Sequence, residues 1–96
     1  MKENVFQAKV IKFLKDNNAW HIKYWAGAQY TKQGVPDILA CIDGTFHGIE
    51  LKTDTGKPSK LQLYNIRKIK DSGGQAYILR PKDFESWKER WFDARV

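Results

Sequence analysis

The spacing of the apolar residues changes several times along the chain, and each change predicts an element. Phe6, Val10 and Leu14 recur at helical spacing between about Glu3 and Asn17. Alternating patterns predict strands over 19–26, over both arms of a hairpin between residues 37 and 52, and over 76–80. Helical spacing returns over 59–71 and again after residue 83. The predicted order is α-β-β-β-α-β-α, an α/β domain with a mixed sheet flanked by helices.

The centre of the chain predicts a tight hairpin with a defined register. Asp43-Gly44 stands between two β-rich segments, and this dipeptide favours a two-residue turn in which both residues have positive φ. If Ile42 pairs with Thr45, the same register places Asp37 directly opposite Glu50. Side chains alternate between faces, so Lys52 shares the face of Glu50. The opposite face is predicted to be core and carries Ile38, Ile42, Ile49 and Leu51.

Two opposed carboxylates at this position suggest a metal site. Their Cβ atoms would lie about 4.5–5.5 Å apart, so Asp37 and Glu50 would repel each other. A hard cation such as Mg²⁺, or Mn²⁺, relieves that repulsion, and the backbone carbonyl of Leu51 could add a third oxygen ligand. Lys52 could orient a water molecule or stabilise developing negative charge. The alternative is a surface Glu50–Lys52 pair beside an aspartate that merely begins a strand.

Three segments together resemble the VRR-NUC family of the PD-(D/E)XK nuclease superfamily. They are Gly34-Val35-Pro36-Asp37, Ile49-Glu50-Leu51-Lys52 and Ser59-Lys60-Leu61-Gln62. The resemblance covers about Glu3 to Leu79. It implies a restriction-endonuclease-like fold, metal-dependent cleavage of DNA phosphodiesters, and homodimers that act on branched DNA in the manner of junction resolvases. It also implies a helical glutamate that reaches the metal, for which Glu3 is the matching residue. The other interpretation of Glu3 is an acid that complements the helix dipole.

Gln62 has two predicted roles. Ser59 and Gln62 form a capping box, in which each side chain accepts a hydrogen bond from the other residue's backbone. Gln62 also lies on the inward stripe of its helix, where it could bind a phosphate or a catalytic water. Both interpretations remain open from the sequence.

The loops at the same end of the sheet contain the predicted DNA contacts. Gly34 can take positive φ and let a phosphate approach closely. Ordinary connecting loops are the alternative interpretation. The candidate DNA-binding residues are Gln29, Tyr30, Lys32, Gly34, Lys57, Ser59 and Lys60.

Composition agrees with a nucleic-acid partner. The 96 residues predict one domain, 1–96, and the net charge of +6 suits a polyanion. The single cysteine excludes an internal disulfide and favours a reducing compartment, so we expect a cytoplasmic protein of a bacterial or phage-infected cell, not a secreted one. Phe84, Trp87 and Trp91 are core residues or a dimer surface. An endonuclease is the leading hypothesis. The alternatives are a nucleic-acid-binding module with a vestigial site and a non-nucleolytic interaction domain.

Overall fold

The computed structural model describes residues 1–25, 27–28 and 31–92. The elements are α1 (Glu3–Asp16), β1 (Trp20–Lys23), β2 (Ile38–Ile42), β3 (Thr45–Leu51), α2 (Lys60–Asp71), β4 (Gln75–Leu79), a 3₁₀ turn (Pro81–Asp83) and α3 (Phe84–Phe92). The sheet order is β1-β2-β3-β4, with antiparallel pairs except for the parallel β3–β4 pair. This confirms the predicted element order and fold class. No helix in these described ranges is long and apolar enough to cross a membrane.

The central hairpin has the predicted turn and register. Asp43 and Gly44 have φ values of 50° and 80°, as the two-residue turn requires. Ile42 pairs with Thr45, and Ile38 pairs with Ile49. The next position toward the open end of the hairpin brings Asp37 opposite Glu50.

Helices α1 and α3 cover one face of the sheet. The predicted core residues Ile38, Ile42, Ile49 and Leu51 are all buried there. The ring of Phe13 in α1 packs against Phe84, Trp87 and Phe92, with ring centroids 6.0, 5.7 and 4.8 Å away. Trp87 and Phe92 are buried in the core, whereas Phe84 and Trp91 are only partly buried against it. The core role is confirmed for Trp87, and a dimer surface on this helix stays a prediction.

Helix α2 packs on β3 and β4 on the opposite face. The helix ends as expected, with Gly73 at φ 99° after Ser72. The first strand departs from prediction. It spans only Trp20–Lys23, and Trp20 and Ile22 are 66% and 42% exposed. The face of β1 that carries Trp20 and Ile22 is open, because α2 does not extend over the β1 edge of the sheet.

A buried polar network joins β3, β4 and α3 on the core face. Nε1 of Trp87 donates to the hydroxyl of Tyr77, at 2.8 Å. That hydroxyl is 2.8 Å from Nδ1 of His47. Because the indole is only a donor, the Tyr77 oxygen accepts from it, and the Tyr77 hydroxyl can donate its own proton to Nδ1 of His47, which places the imidazole proton on Nε2. The network fixes α3 against the sheet.

Candidate active site

Glu50 is the central residue of the candidate site. It lies near the end of β3, on the face that α2 covers, and is only 2% exposed. Its Oε2 atom accepts a hydrogen bond from Nε2 of Gln62 at 3.1 Å and lies 3.6 Å from Nζ of Lys52. Its Oε1 atom is buried and has no hydrogen-bond partner among the described residues. A buried carboxylate oxygen without a partner is costly, so this position needs a ligand, a water molecule or a proton.

Asp37 is positioned by the backbone of the neighbouring strands. Its Oδ2 atom accepts a hydrogen bond from the amide of Leu51 at 2.9 Å. Its own carbonyl accepts from the amide of Tyr24 at 2.8 Å. These two bonds hold the aspartate at the start of β2, with its carboxyl beside that of Glu50. At Leu51 the amide is the group that touches a carboxylate, and a ligand role for its carbonyl stays a prediction.

The two carboxyls raise the proton affinity of the site. The pKa of Glu50 is raised to about 8, first by burial and then by the neighbouring carboxyl of Asp37. The nearby ammonium of Lys52 acts in the opposite direction. With its pKa raised in this way, the Glu50 carboxyl loses its proton near neutral pH only if a bound cation takes the place of that proton. The electrostatics of the pair therefore suit a metal ligand.

Gln62 forms the predicted capping box and also contacts Glu50, while its predicted contact with a phosphate or a catalytic water stays a prediction. Its side-chain Oε1 atom accepts from the backbone amide of Ser59 at 2.8 Å. Its backbone amide donates to Oγ of Ser59 at 3.1 Å, which completes the capping box. The Nε2 group remains for Glu50. The capping box therefore orients the side-chain amide of Gln62, and the Nε2 group of that amide holds Oε2 of Glu50 in place.

Glu3 lies at the first position of α1 and is exposed. Besides burial and Asp37, its charge adds to the raised pKa of Glu50, so its field reaches the site. Within the described ranges, no group of three His, Cys, Asp or Glu side chains is close enough to hold a metal. The donor set that fits a hard cation here is the Asp37–Glu50 pair, and a ligand role for Glu3 stays a prediction.

Arg80 is a site-supporting residue that the sequence reasoning missed. Its Nη1 group donates to the carbonyls of Thr53 and Gly56, at 2.6 and 2.7 Å. These carbonyls belong to the loop between Lys52 and α2, which the arginine ties to the end of β4. Leu51 pairs with Leu79 in the parallel β3–β4 pair, so the next residues, Lys52 and Arg80, lie at the same end of the sheet. That register was not derivable before the strand order was known.

The predicted DNA contacts have different positions. Lys57, Ser59 and Lys60 are exposed at or just before the start of α2, next to Gln62. Lys32 is exposed in the loop that leads to Asp37. Gln29 and Tyr30 lie outside the described residues.

Gly34 has the expected positive φ of 75°, and the structure shows a packing reason for a glycine at this position. A Cβ atom there would lie 2.5 Å from Cγ of Leu61 and 2.9 Å from Nδ2 of Asn65. The missing side chain makes room for α2, so the glycine has a packing role. Close approach of a phosphate at Gly34 stays a prediction.

Two solved structures share the fold of this chain. A VRR_NUC domain superposes with a TM-score of 0.75 at 17% sequence identity, covering 94% of this chain and 96% of the other. The Holliday junction resolvase Hjc from Archaeoglobus fulgidus superposes with a TM-score of 0.57 at 22% identity, covering 79% of this chain and 66% of that one. No family model and no curated protein matches the sequence. The resemblance inferred from three short motifs is thus confirmed at the level of the fold.

Proposed function

We propose that this protein is a metal-dependent DNA endonuclease that hydrolyses phosphodiester bonds in branched DNA without sequence preference. The observation that carries the proposal is Glu50, a buried carboxylate with an unpartnered oxygen beside a second carboxylate and a lysine. This combination is costly for stability and useful for hydrolysis. The nuclease fold of the two structural neighbours supports the same proposal.

Asp37 and Glu50 would hold Mg²⁺ or Mn²⁺, with the Leu51 carbonyl and Glu3 as further candidate ligands. A bound ion of this kind supplies Lewis acidity at a phosphoryl oxygen and makes water a better nucleophile. Gln62 holds Oε2 of Glu50, so that the carboxylate keeps one orientation. Lys52, whose ammonium is within 3.6 Å of that carboxylate, stabilises negative charge that develops on the phosphate or orients the attacking water.

The proposed substrate is branched DNA such as a four-way junction. A net charge of +6 favours DNA generally, and one structural neighbour is a Holliday junction resolvase. A junction has two strands to cut symmetrically, which a two-fold homodimer with two sites could do. We propose such a dimer, acting in the cytoplasm of a bacterial or phage-infected cell. The partly buried rings of Phe84 and Trp91 on α3 are the candidate apolar surface for its interface.

The test is cleavage of end-labelled four-way junctions, flaps and linear duplexes with Mg²⁺, Mn²⁺ or EDTA. We expect metal-dependent cleavage that is strongest on a branched substrate. Glu50→Gln should reduce the rate by more than about 10³-fold, because Lewis-acid stabilisation is worth several kcal/mol. Glu85→Gln is a matched control, since Glu85 is an exposed partner of Lys88 on α3.

Two results would contradict the proposal. Wild-type cleavage by Glu50→Gln would remove that residue from the chemistry. Tight, salt-dependent junction binding with no cleavage in any metal would instead favour the nucleic-acid-binding module with a vestigial site. Sedimentation of the free protein and of the protein on a junction tests the dimer separately.

A further inference from the structure

A groove of about 480 Å³ runs along α2 at the other end of the sheet face that carries Glu50. Its floor includes Phe46 of β3 and Ile69 of α2, and its rim includes Lys32 and Lys68. Asn65 also lines it, and the Nδ2 group of this residue donates to the carbonyl of Gln33 at 3.3 Å. The loop that leads to Asp37 is thereby attached to α2, between the groove and the candidate active site.

Phe46 is the exposed aromatic residue of this groove. It is 45% exposed and lies an even number of residues from Glu50 along β3, so both side chains project from the same face of the sheet. The two residues are four positions apart, which is on the order of 13 Å along the strand. Phe46 pairs with Cys41, and Cys41 pairs with Trp20, so three exposed side chains lie side by side across three neighbouring strands.

The charge at the groove selects an anionic occupant. Lys32 and Lys68 are both exposed, and no carboxylate occurs among the residues that line the groove within the described chain. An occupant must therefore offer negative charge to the rim and a flat apolar face to the ring. Unpaired nucleotides offer both, whereas the bases of an intact duplex keep their faces stacked inside.

We propose that this groove binds unpaired nucleotides of a branched DNA next to the strand that the candidate site cuts. Phe46 stacks on a base, while Lys32 and Lys68 contact the flanking phosphates. The distance to Glu50 corresponds to about four nucleotides at the 3.4 Å spacing of a stacked strand. The inference rests on the proposed function for its biological meaning, and it gives a physical reason for a preference for branched over linear DNA.

The test measures binding without cleavage. Fluorescence anisotropy in EDTA follows a labelled oligothymidylate of about ten nucleotides, a length within the span of small single-strand-binding domains. Phe46→Ala should weaken binding by about tenfold, since stacking on an aromatic side chain is worth about 1–3 kcal/mol per base. Leu63→Ala is the matched control, because Leu63 is 48% exposed on α2 but does not line the groove. Phe46→Trp, which keeps an aromatic face, should bind as the wild type does.

The lysines have their own matched pair on α2. Lys68→Ala should reduce the slope of log affinity against log salt by about 0.7, the value for one phosphate on a single strand. Lys70→Ala removes the same charge from the same helix outside the groove and should leave the slope unchanged.

Three results would overturn the inference. They are equal affinities for Phe46→Ala and Leu63→Ala, loss of binding in Phe46→Trp, and a Phe46→Ala protein whose sedimentation changes while its oligothymidylate binding does not. The last result would identify this face as a contact between copies of the chain. Failure of the cleavage proposal leaves this binding measurement intact, so the two failures are distinguishable.

Discussion

Strand β3 carries two buried ionisable residues on opposite faces, His47 and Glu50. Each has one polar atom without a hydrogen-bond partner among the described residues, Nε2 of the histidine and Oε1 of the glutamate. His47 faces aromatic rings, with the Trp91 ring centroid 4.5 Å away and nearly perpendicular. Glu50 instead faces Asp37, Lys52 and Gln62.

The difference shows that burial of an ionisable group does not by itself identify a functional site. Burial lowers the pKa of His47 to about 4, so the imidazole is neutral and belongs to the core. Burial raises the pKa of Glu50 to about 8, but here a second carboxylate and a cation adjoin it. Ionisable neighbours, not burial, distinguish the site from the core.

The largest effect that would sharpen this contrast is expected at Lys52. Lys52→Ala should reduce the single-turnover cleavage rate by about 10²–10³-fold, because one preorganised electrostatic group is worth that much. Calorimetric Mn²⁺ affinity should persist, since lysine is not a ligand of hard cations. Lys12→Ala, which removes an exposed lysine paired with Asp16, is the control. A wild-type rate in Lys52→Ala would reduce the lysine to a mere ion-pair partner of Glu50.

Local sequence signals predicted the parts of the site that depend on short-range geometry. Asp43-Gly44 fixed the hairpin register and therefore the pairing of Asp37 with Glu50, because a two-residue turn leaves one pairing scheme. The capping box predicted where α2 begins, and hence the position of Gln62 near Glu50.

Other parts depend on packing between distant elements and were missed. The exposure of Trp20 follows from where α2 crosses the sheet, which no local pattern encodes. The network of His47, Tyr77 and Trp87 joins residues 30 and 10 positions apart in sequence. The clamp by Arg80 needs the parallel β3–β4 register, which forms only through a long crossover.

A substitution at Tyr77 tests whether the buried network around His47 serves stability and not cleavage. Tyr77→Phe removes the hydroxyl that joins Trp87 to His47, leaving two buried polar groups without partners. The free energy of unfolding should fall by about 1–3 kcal/mol, the penalty for an unsatisfied buried group. Urea unfolding measures it, with the exposed Tyr64→Phe as control. Cleavage per folded molecule should stay the same, and an unchanged stability would show that the network contributes little.

The smallest effect concerns the pH dependence of stability in the absence of metal. It involves both Glu50 and His47, which lie on opposite faces of β3. Glu50 has a raised pKa in the folded state, so its stabilising contribution is complete below its ordinary value of 4.5 and is lost as the pH rises through about 8. His47 has a lowered pKa, so its contribution is complete above its ordinary value of 6.5 and is lost as the pH falls toward about 4. The two residues therefore oppose each other between pH 4.5 and 6.5, whereas only Glu50 acts between 6.5 and 8.

Urea unfolding of the wild type and of Glu50→Gln in EDTA, over a pH series, separates the two contributions. Between pH 6.5 and 8 the wild type should lose up to about 1.4 kcal/mol of unfolding free energy per pH unit relative to the variant, since one proton is released at most. Below pH 6.5 the variant should lose stability as the pH falls, because only His47 of the pair still titrates. Every other group titrates in both proteins and cancels in their difference. Parallel pH profiles would mean that Glu50 is already ionised at neutral pH without a cation, and the electrostatic argument for a metal ligand at that position would fail.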